Sequence, residues 1–139
     1  MASPRFSVII VNYNGLDFLQ LCVNSLGRQT YTDFELIIAD NASSDGSMEA
    51  LDTQQIKDCQ IILNDGNLGY AQGNNEATQR ARGEWLVFLN PDTVVNPDWL
   101  AEVNAGLKRH PGVAMFGCAQ FDLAATDLLD GVGDAYLAV

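Results

Sequence analysis

The chain has 139 residues, 47% of them hydrophobic and 18% charged, with a formal net charge of −11. That length and apolar content suit one globular domain with a real core and argue against disorder. The acidic balance argues against nucleic-acid binding, and no apolar run reaches the roughly 20 residues that span a bilayer. Acidity does not exclude a small phosphorylated ligand, because a divalent cation can invert the local field. Cys22, Cys59 and Cys118 are odd in number and lack CxxC spacing. They read as reduced thiols of a cytoplasmic protein, not as a zinc site.

The first element is Phe6 to Val11, a strand rich in β-branched residues, followed by the turn Asn12-Tyr13-Asn14-Gly15. Leu16, Leu19, Val23 and Leu26 recur at helical spacing up to Gly27. Phe34 to Ala39 is the second strand. Ser43 to Ser47 supplies turn and N-cap chemistry for a helix from Met48 to about Gln55. Ile61 to Leu63 is a third strand, Asn64 to Gly69 a loop, and Tyr70 to Arg82 a helix closed by Gly83.

Trp85 to Leu89 is the fourth strand, and Asn96-Pro97-Asp98 opens a helix carrying Trp99, Leu100, Val103 and Leu107. Pro111-Gly112 ends it, and Val113 to Cys118 reads as a further strand. The alternation predicts an α/β fold with a mostly parallel sheet and right-handed crossovers. The runs Leu36 to Ala39 and Trp85 to Leu89 are apolar enough for strands buried on both faces. The tail differs: the loop Asp130 to Asp134 precedes apolar Ala135 to Val139, so the fold reads as cut in mid-domain. The exposed C-terminal segment would then invite self-association.

Four strand ends share a character. Asn12-Tyr13-Asn14 follows the first, Asp40-Asn41 the second, Asn64 to Gly69 the third and Asn90-Pro91-Asp92 the fourth. Ligands of open α/β sheets gather at the carboxyl ends of strands. A nucleoside diphosphate needs an acceptor for its base N–H, and Asp40 fits. It needs close backbone approach at ribose and phosphates, which Gly69 and Gly73 permit. It needs a cation held by a carboxylate, and Asp92 fits. Taken singly, Asp40-Asn41, the glycines and Asn90-Pro91-Asp92 are ordinary turns. Their joint placement is what points to a site.

These segments resemble the opening of family 2 glycosyltransferases of GT-A fold, a Rossmann-like α/β/α sandwich. The match runs through Ser7 to Asn14, Ile38 to Ser47, Asn67 to Asn75 and Phe88 to Thr93, in order. Asn90-Pro91-Asp92 and Asn67-Leu68-Gly69-Tyr70 look most like the rhamnosyltransferase-type branch. The resemblance implies that Val11, Asn12, Tyr13 and Asn14 hold base and ribose, with Asp40 on the base. It puts Asp45 near the nucleotide or in the ordering of its loop, and Asn67, Gly69, Gly73 and Asn74 around the donor pocket. Asp92 would bind Mn²⁺ or Mg²⁺ on the diphosphate. Asn90 stands where the family's motif has an acid, so the metal would rest on Asp92, phosphates and water.

What the resemblance implies is inverting transfer from a dTDP- or UDP-linked sugar to a glycan or lipid-linked acceptor, as in cell-surface polysaccharide synthesis. It would act in the cytoplasm or, at full length, against the inner face of the membrane. The family's catalytic base and most acceptor contacts lie in a later segment. Asp122, Asp127, Asp130 and Asp134 do not match its context. No catalytic residue is therefore assigned, and the expectation is a nucleotide-sugar-binding part over residues 1–139 with its acceptor part absent. The alternative is a non-catalytic nucleotide-binding or interaction module of GT-A fold. A nucleotidyltransferase would want a basic, glycine-rich loop after the first strand, and Asn12 to Asp17 has no Lys or Arg.

Overall fold

The computed structural model describes residues 3–125 and 127–131. Two compact units divide between Glu102 and Val103.

The first unit is built on a parallel four-stranded sheet in the order β3-β2-β1-β4. β1 (Phe6–Asn12) and β2 (Phe34–Asp40) are paired residue for residue, Phe6 with Phe34 through Asn12 with Asp40. Val8, Ile9, Ile10, Leu36, Ile37 and Ile38 are fully buried, as β-branched runs in the middle of a parallel sheet should be. β3 (Cys59–Leu63) flanks β2, and β4 (Trp85–Phe88) flanks β1. In β4 the expected burial on both faces fails. Leu86 and Phe88 are 40% and 51% exposed, because a flanking strand has a covered face and an open one.

The helix α1 (Leu19–Gly27) buries Leu19, Cys22, Val23, Ser25 and Leu26, one stripe at helical spacing. It begins three residues later than Leu16. α2 (Gly69–Thr78) is shorter than its pattern predicts. Beyond it the backbone tightens into i→i+3 bonds at Gln79, Arg80 and Ala81.

A buried carboxylate explains where that segment stops. Glu35, fully buried on β2, accepts from Arg82 N–H at 2.6 Å, from its guanidinium at 2.6 and 2.9 Å, and from Ser7 Oγ at 2.6 Å. Burial pushes the Glu35 carboxyl up, but the Ser7 and Arg82 donors outweigh it and hold it below the usual range. Gly83 is required beside this pair, since a Cβ there would lie 2.4 Å from the Ser7 backbone nitrogen.

The helix expected from Met48 to Gln55 does not form. Ala50 N–H closes one turn onto Gly46, which has φ of 84°. Asp52 then bonds twice to the α1 side chain of Gln20, at 2.7 and 3.1 Å. Those tertiary bonds satisfy the backbone that a helix would have satisfied locally.

α3 (Trp99–Arg109) starts two residues after Pro97, which lies in the turn leading into it, with Glu102 in its first turn and Lys108 and Arg109 in its last. The second unit carries its own antiparallel pair, β5 (Gln120–Phe121) and β6 (Leu129–Gly131). The strand expected over Val113 to Cys118 is absent there. Asp122 accepts the Ala124 and Ala125 N–H groups, turning the chain so that β5 and β6 pair with each other instead. Asp134 and the apolar Ala135 to Val139, the expected self-association segment, lie outside the described residues.

Among the described residues no helix is long and apolar enough to cross a membrane.

Candidate functional site at the carboxyl rim of the sheet

The parallel register brings the ends of β1, β2 and β3 to one rim. Asn41 N–H donates to the Asn12 carbonyl at 2.8 Å, and Asn64 N–H to the Asp40 carbonyl at 2.9 Å. The strands therefore hand over directly to the loops that carry the candidate residues.

Asp40 is only 3% exposed. Its Oδ1 accepts from Asn12 Nδ2 at 2.9 Å and Ser43 Oγ at 2.6 Å, and its Oδ2 from Ser43 N–H at 2.9 Å. A carboxylate has about four lone-pair positions, so Oδ2 keeps room for one more donor. Asn12, fully buried, also reaches Ser47 Oγ at 3.0 Å, while its own Oδ1 is a buried acceptor without a partner among the described residues.

The turn after β1 is zipped to the loop after β2. Asn14 N–H donates to Ser43 Oγ at 2.9 Å, and Ser44 N–H donates to Asn14 Oδ1 at 2.9 Å. Asp45 accepts from Leu16 N–H at 2.8 Å and Ser47 N–H at 3.0 Å. The Ser47 hydroxyl is the largest influence holding the Asp45 carboxyl below its usual range, and the Ser47 and Leu16 N–H groups add to it. Asp45 thus orders the loop. Asn14 and Ala42 both take positive φ, 54° and 58°, which asparagine tolerates better than alanine. Tyr13, between these anchors, is exposed.

On the other side, Asn41 is the hub. It accepts from Asn64 Nδ2 at 2.9 Å and donates to the Gly69 carbonyl at 3.2 Å and to Asn67 Oδ1 at 3.4 Å. Asn67 Oδ1 also accepts from Gly69 N–H at 2.8 Å, fixing the start of α2. Gly73 is buried, and a Cβ there would lie 2.9 Å from Val11 Cγ1. The close approach expected of Gly73 is therefore used by the side chain of Val11, and it sets α2 down on β1. Asn74 donates to the Tyr70 carbonyl at 2.9 Å. Together with Tyr70, Ala71, Asn75 and Phe88 it lines an open hollow of about 260 Å³.

Asn90-Pro91-Asp92-Thr93 is a β-turn, closed by Thr93 N–H on the Asn90 carbonyl at 3.2 Å with Pro91 in the favoured second position. Asp92 is exposed. Adjacent strands lie about 4.8 Å apart, so the ends of β2 and β4, on either side of β1, are separated by roughly 10 Å. Among the described residues no three His, Cys, Asp or Glu gather as a metal-binding group. One exposed carboxylate beside an amide fits a hard cation only if phosphate oxygens and water complete the shell.

The Glycosyl transferase family 2 model matches residues 7–126. The chain belongs to glycosyltransferase family 2. Among the relatives of this family 2 glycosyltransferase is a PGL/p-HBAD biosynthesis glycosyltransferase of Mycobacterium tuberculosis, 34% identical over 121 residues. That match covers 84% of this chain and 47% of the relative. Poly(ribitol-phosphate) beta-N-acetylglucosaminyltransferase TarS of Staphylococcus aureus is 29% identical over 112 residues, covering 76% of this chain and 19% of that protein. The chain thus spans less than half the length of either relative.

The crystal structure of S. aureus TarS 1-349 in complex with UDP-GlcNAc matches with a TM-score of 0.72 at 26% identity. It covers 77% of this chain and 32% of that one. A mannosyltransferase from Pyrobaculum calidifontis, solved with GDP-Man and Mn²⁺, matches with a TM-score of 0.71 at 24% identity, over 84% of this chain and 34% of its own. That second likeness concerns the fold, which is GT-A.

Asn41, Ser43 and Ser47 hold the rim together, yet each reads in sequence as a small polar residue after a strand. The repeat of asparagine at 41, 64 and 67 is the one signal that could have marked the hub.

Proposed function

We propose that these residues form the nucleotide-sugar-binding part of an inverting glycosyltransferase that takes a dTDP- or UDP-linked sugar. The observation that carries this reading is the rim itself, with the buried Asn12–Asp40 pair at one end and Asp92 at the other. The family supports it, and so does the UDP-GlcNAc complex of TarS. Asp40 Oδ2 would accept the ring N–H of the base. Val11, Asn12, Tyr13 and Asn14 would line base and ribose, with Asp45 holding their loop. Asn67, Gly69 and Asn74 would face the sugar-phosphate side, and Gly73 would keep α2 close. The Asn-Pro-Asp turn and the Asn67 to Tyr70 segment favour the rhamnosyltransferase-type branch.

In such a reaction an acceptor hydroxyl of a glycan or lipid-linked substrate attacks the anomeric carbon from the face opposite the leaving group. The new C–O bond forms as the bond to the diphosphate breaks, the electron pair leaves with the diphosphate, and a base takes the hydroxyl proton. Asp92, with Asn90 beside it, would hold Mn²⁺ or Mg²⁺ against the diphosphate. A bound cation of this kind neutralises charge on the leaving group. We place the base and the acceptor contacts outside these 139 residues, and the activity in the cytoplasm or at the inner membrane face.

Calorimetry with UDP, dTDP, GDP and ADP and their sugars, with Mn²⁺ and with EDTA, tests the reading. Metal-dependent binding with preference for UDP or dTDP is expected. Binding of none of them, or tightest binding of ADP, overturns it.

A further inference from the structure

The segment from Asn90 to Leu100 is irregular until α3 begins, so its backbone groups need partners from elsewhere. One stripe of α1 and the residues just after it supply them. Cys22 Sγ donates to the Asn90 carbonyl at 3.6 Å. Ser25 Oγ accepts Val95 N–H at 3.1 Å while donating to the Cys22 carbonyl at 2.7 Å. Gln29 donates to the Asn96 carbonyl at 2.7 Å and accepts Leu100 N–H at 2.9 Å. Thr30 N–H donates to the Pro97 carbonyl at 2.9 Å, and its hydroxyl to Asp98 at 2.8 Å.

Cys22 and Ser25 are fully buried, and Gln29 is 5% exposed. Positions 22, 25 and 29 follow the three-and-four spacing of one helix face. The Asn90-Pro91-Asp92-Thr93 turn lies between the first two fastenings, at Asn90 and Val95. The turn is therefore tied to a single turn of α1 at its first residue and again two residues beyond its last, while Asp92 stays exposed.

We infer that Cys22 and Ser25 are positioning residues for the metal–diphosphate end of the donor site, holding the Asp92 turn in register against α1. Neither touches the ligand. Each acts through the backbone of the turn, and the inference rests on the donor reading above. A misplaced ligand loses more than its share of binding, because a loose carboxylate must be ordered when the metal–diphosphate arrives.

The test measures UDP affinity of the 139-residue chain with Mn²⁺ and with EDTA, and uridine affinity by NMR titration, for wild type, Ser25→Ala, Cys22→Ala and Cys22→Ser. Urea midpoints check that each variant is folded. Loss of one hydrogen bond at this seam should cut the Mn²⁺-dependent gain about fivefold in each alanine variant. Uridine binding should stay as in wild type, and Cys22→Ser, which keeps a donor, should restore most of the gain. If Ser25→Ala does not fold, Cys22→Ala decides alone. An unchanged Mn²⁺ gain in the alanine variants overturns the inference, and so does a parallel loss of uridine binding, which marks a merely structural seam. A wild-type chain with no Mn²⁺ gain is a different result, and it overturns the donor reading itself.

Discussion

Asn12 Nδ2 donates to Asp40 Oδ1 at 2.9 Å, joining the last residues of two strands that pair through their whole length. The bond turns Asp40 away from solvent and leaves one oxygen, Oδ2, with capacity to spare. If that oxygen reads a ring N–H, UDP or dTDP binds more tightly than ADP, and Asp40→Ala erases most of the gap. The same change removes the bonds that Asp40 accepts from Asn12 Nδ2, Ser43 N–H and Ser43 Oγ, so stability should drop by about 1–3 kcal/mol. Competition titrations with UDP and ADP, beside a urea melt, check both parts. A variant that keeps the wild-type preference would remove Asp40 from base recognition.

Asp92→Ala should abolish the gain that Mn²⁺ gives to diphosphate binding. The loss is at least tenfold in affinity, about 1.4 kcal/mol. Uridine, which has no phosphate, should bind the variant as it binds wild type. Equal UDP affinity for variant and wild type across a Mn²⁺ titration would rule out this carboxylate as the metal holder.

Glu35 gives the chain an acid limit. Its carboxyl is held below its ordinary value of 4.5, so its contribution is complete above that value and is lost as pH falls through the lower folded value. Unfolding free energy should be flat from neutrality to about pH 5 and fall below it. Glu35→Gln should flatten part of that acid slope while lowering stability at pH 7. An acid slope identical in the two proteins would assign it to other carboxylates.

With its thiol at about 12, Cys22 carries almost no thiolate at neutral pH. Exposed Cys118 should therefore be alkylated first in the native chain, and Cys22 only on unfolding. Mass spectrometry of peptides after a timed iodoacetamide pulse reads the order directly. Early labelling of Cys22 would show that α1 opens from the Asn90 turn on its own.

The 139-residue chain should bind donor without transferring sugar. General-base catalysis contributes about 10²–10⁴-fold, and Asp122, Asp127, Asp130 and Asp134 carry no assigned role in it. Incubation with nucleotide sugars and a panel of acceptors is the check. Robust metal-dependent transfer would place the base among those four residues.

The four strands of the parallel sheet and the polar segments that follow them were legible because both are local. Runs such as Val8-Ile9-Ile10-Val11 declare a buried strand, and a small polar cluster after each declares a rim. What stayed hidden depends on partners far along the chain. Nothing near Asp52 announces that Gln20 will bond it and displace a helix. Nothing near Val113 shows that Gln120 and Phe121 will make the strand instead. Gly73 is readable as a point of close approach, but only the fold says that Val11 is what approaches. Asn41 looks like a turn residue until Asn64 and Asn67 arrive beside it.

The strand order has a consequence for synthesis. β1 precedes both of its neighbours, β2 and β4, in the chain and lies between them, and its Phe6 pairs with both Phe34 and Trp85. At about 5–20 residues per second, several seconds separate the emergence of β1 from that of β4. Through that interval Phe6 to Val11, among the most apolar stretches of the chain, has at most one neighbour. Nascent chains halted before Trp85 should therefore recruit chaperones, and chains extended well past Phe88 should release them.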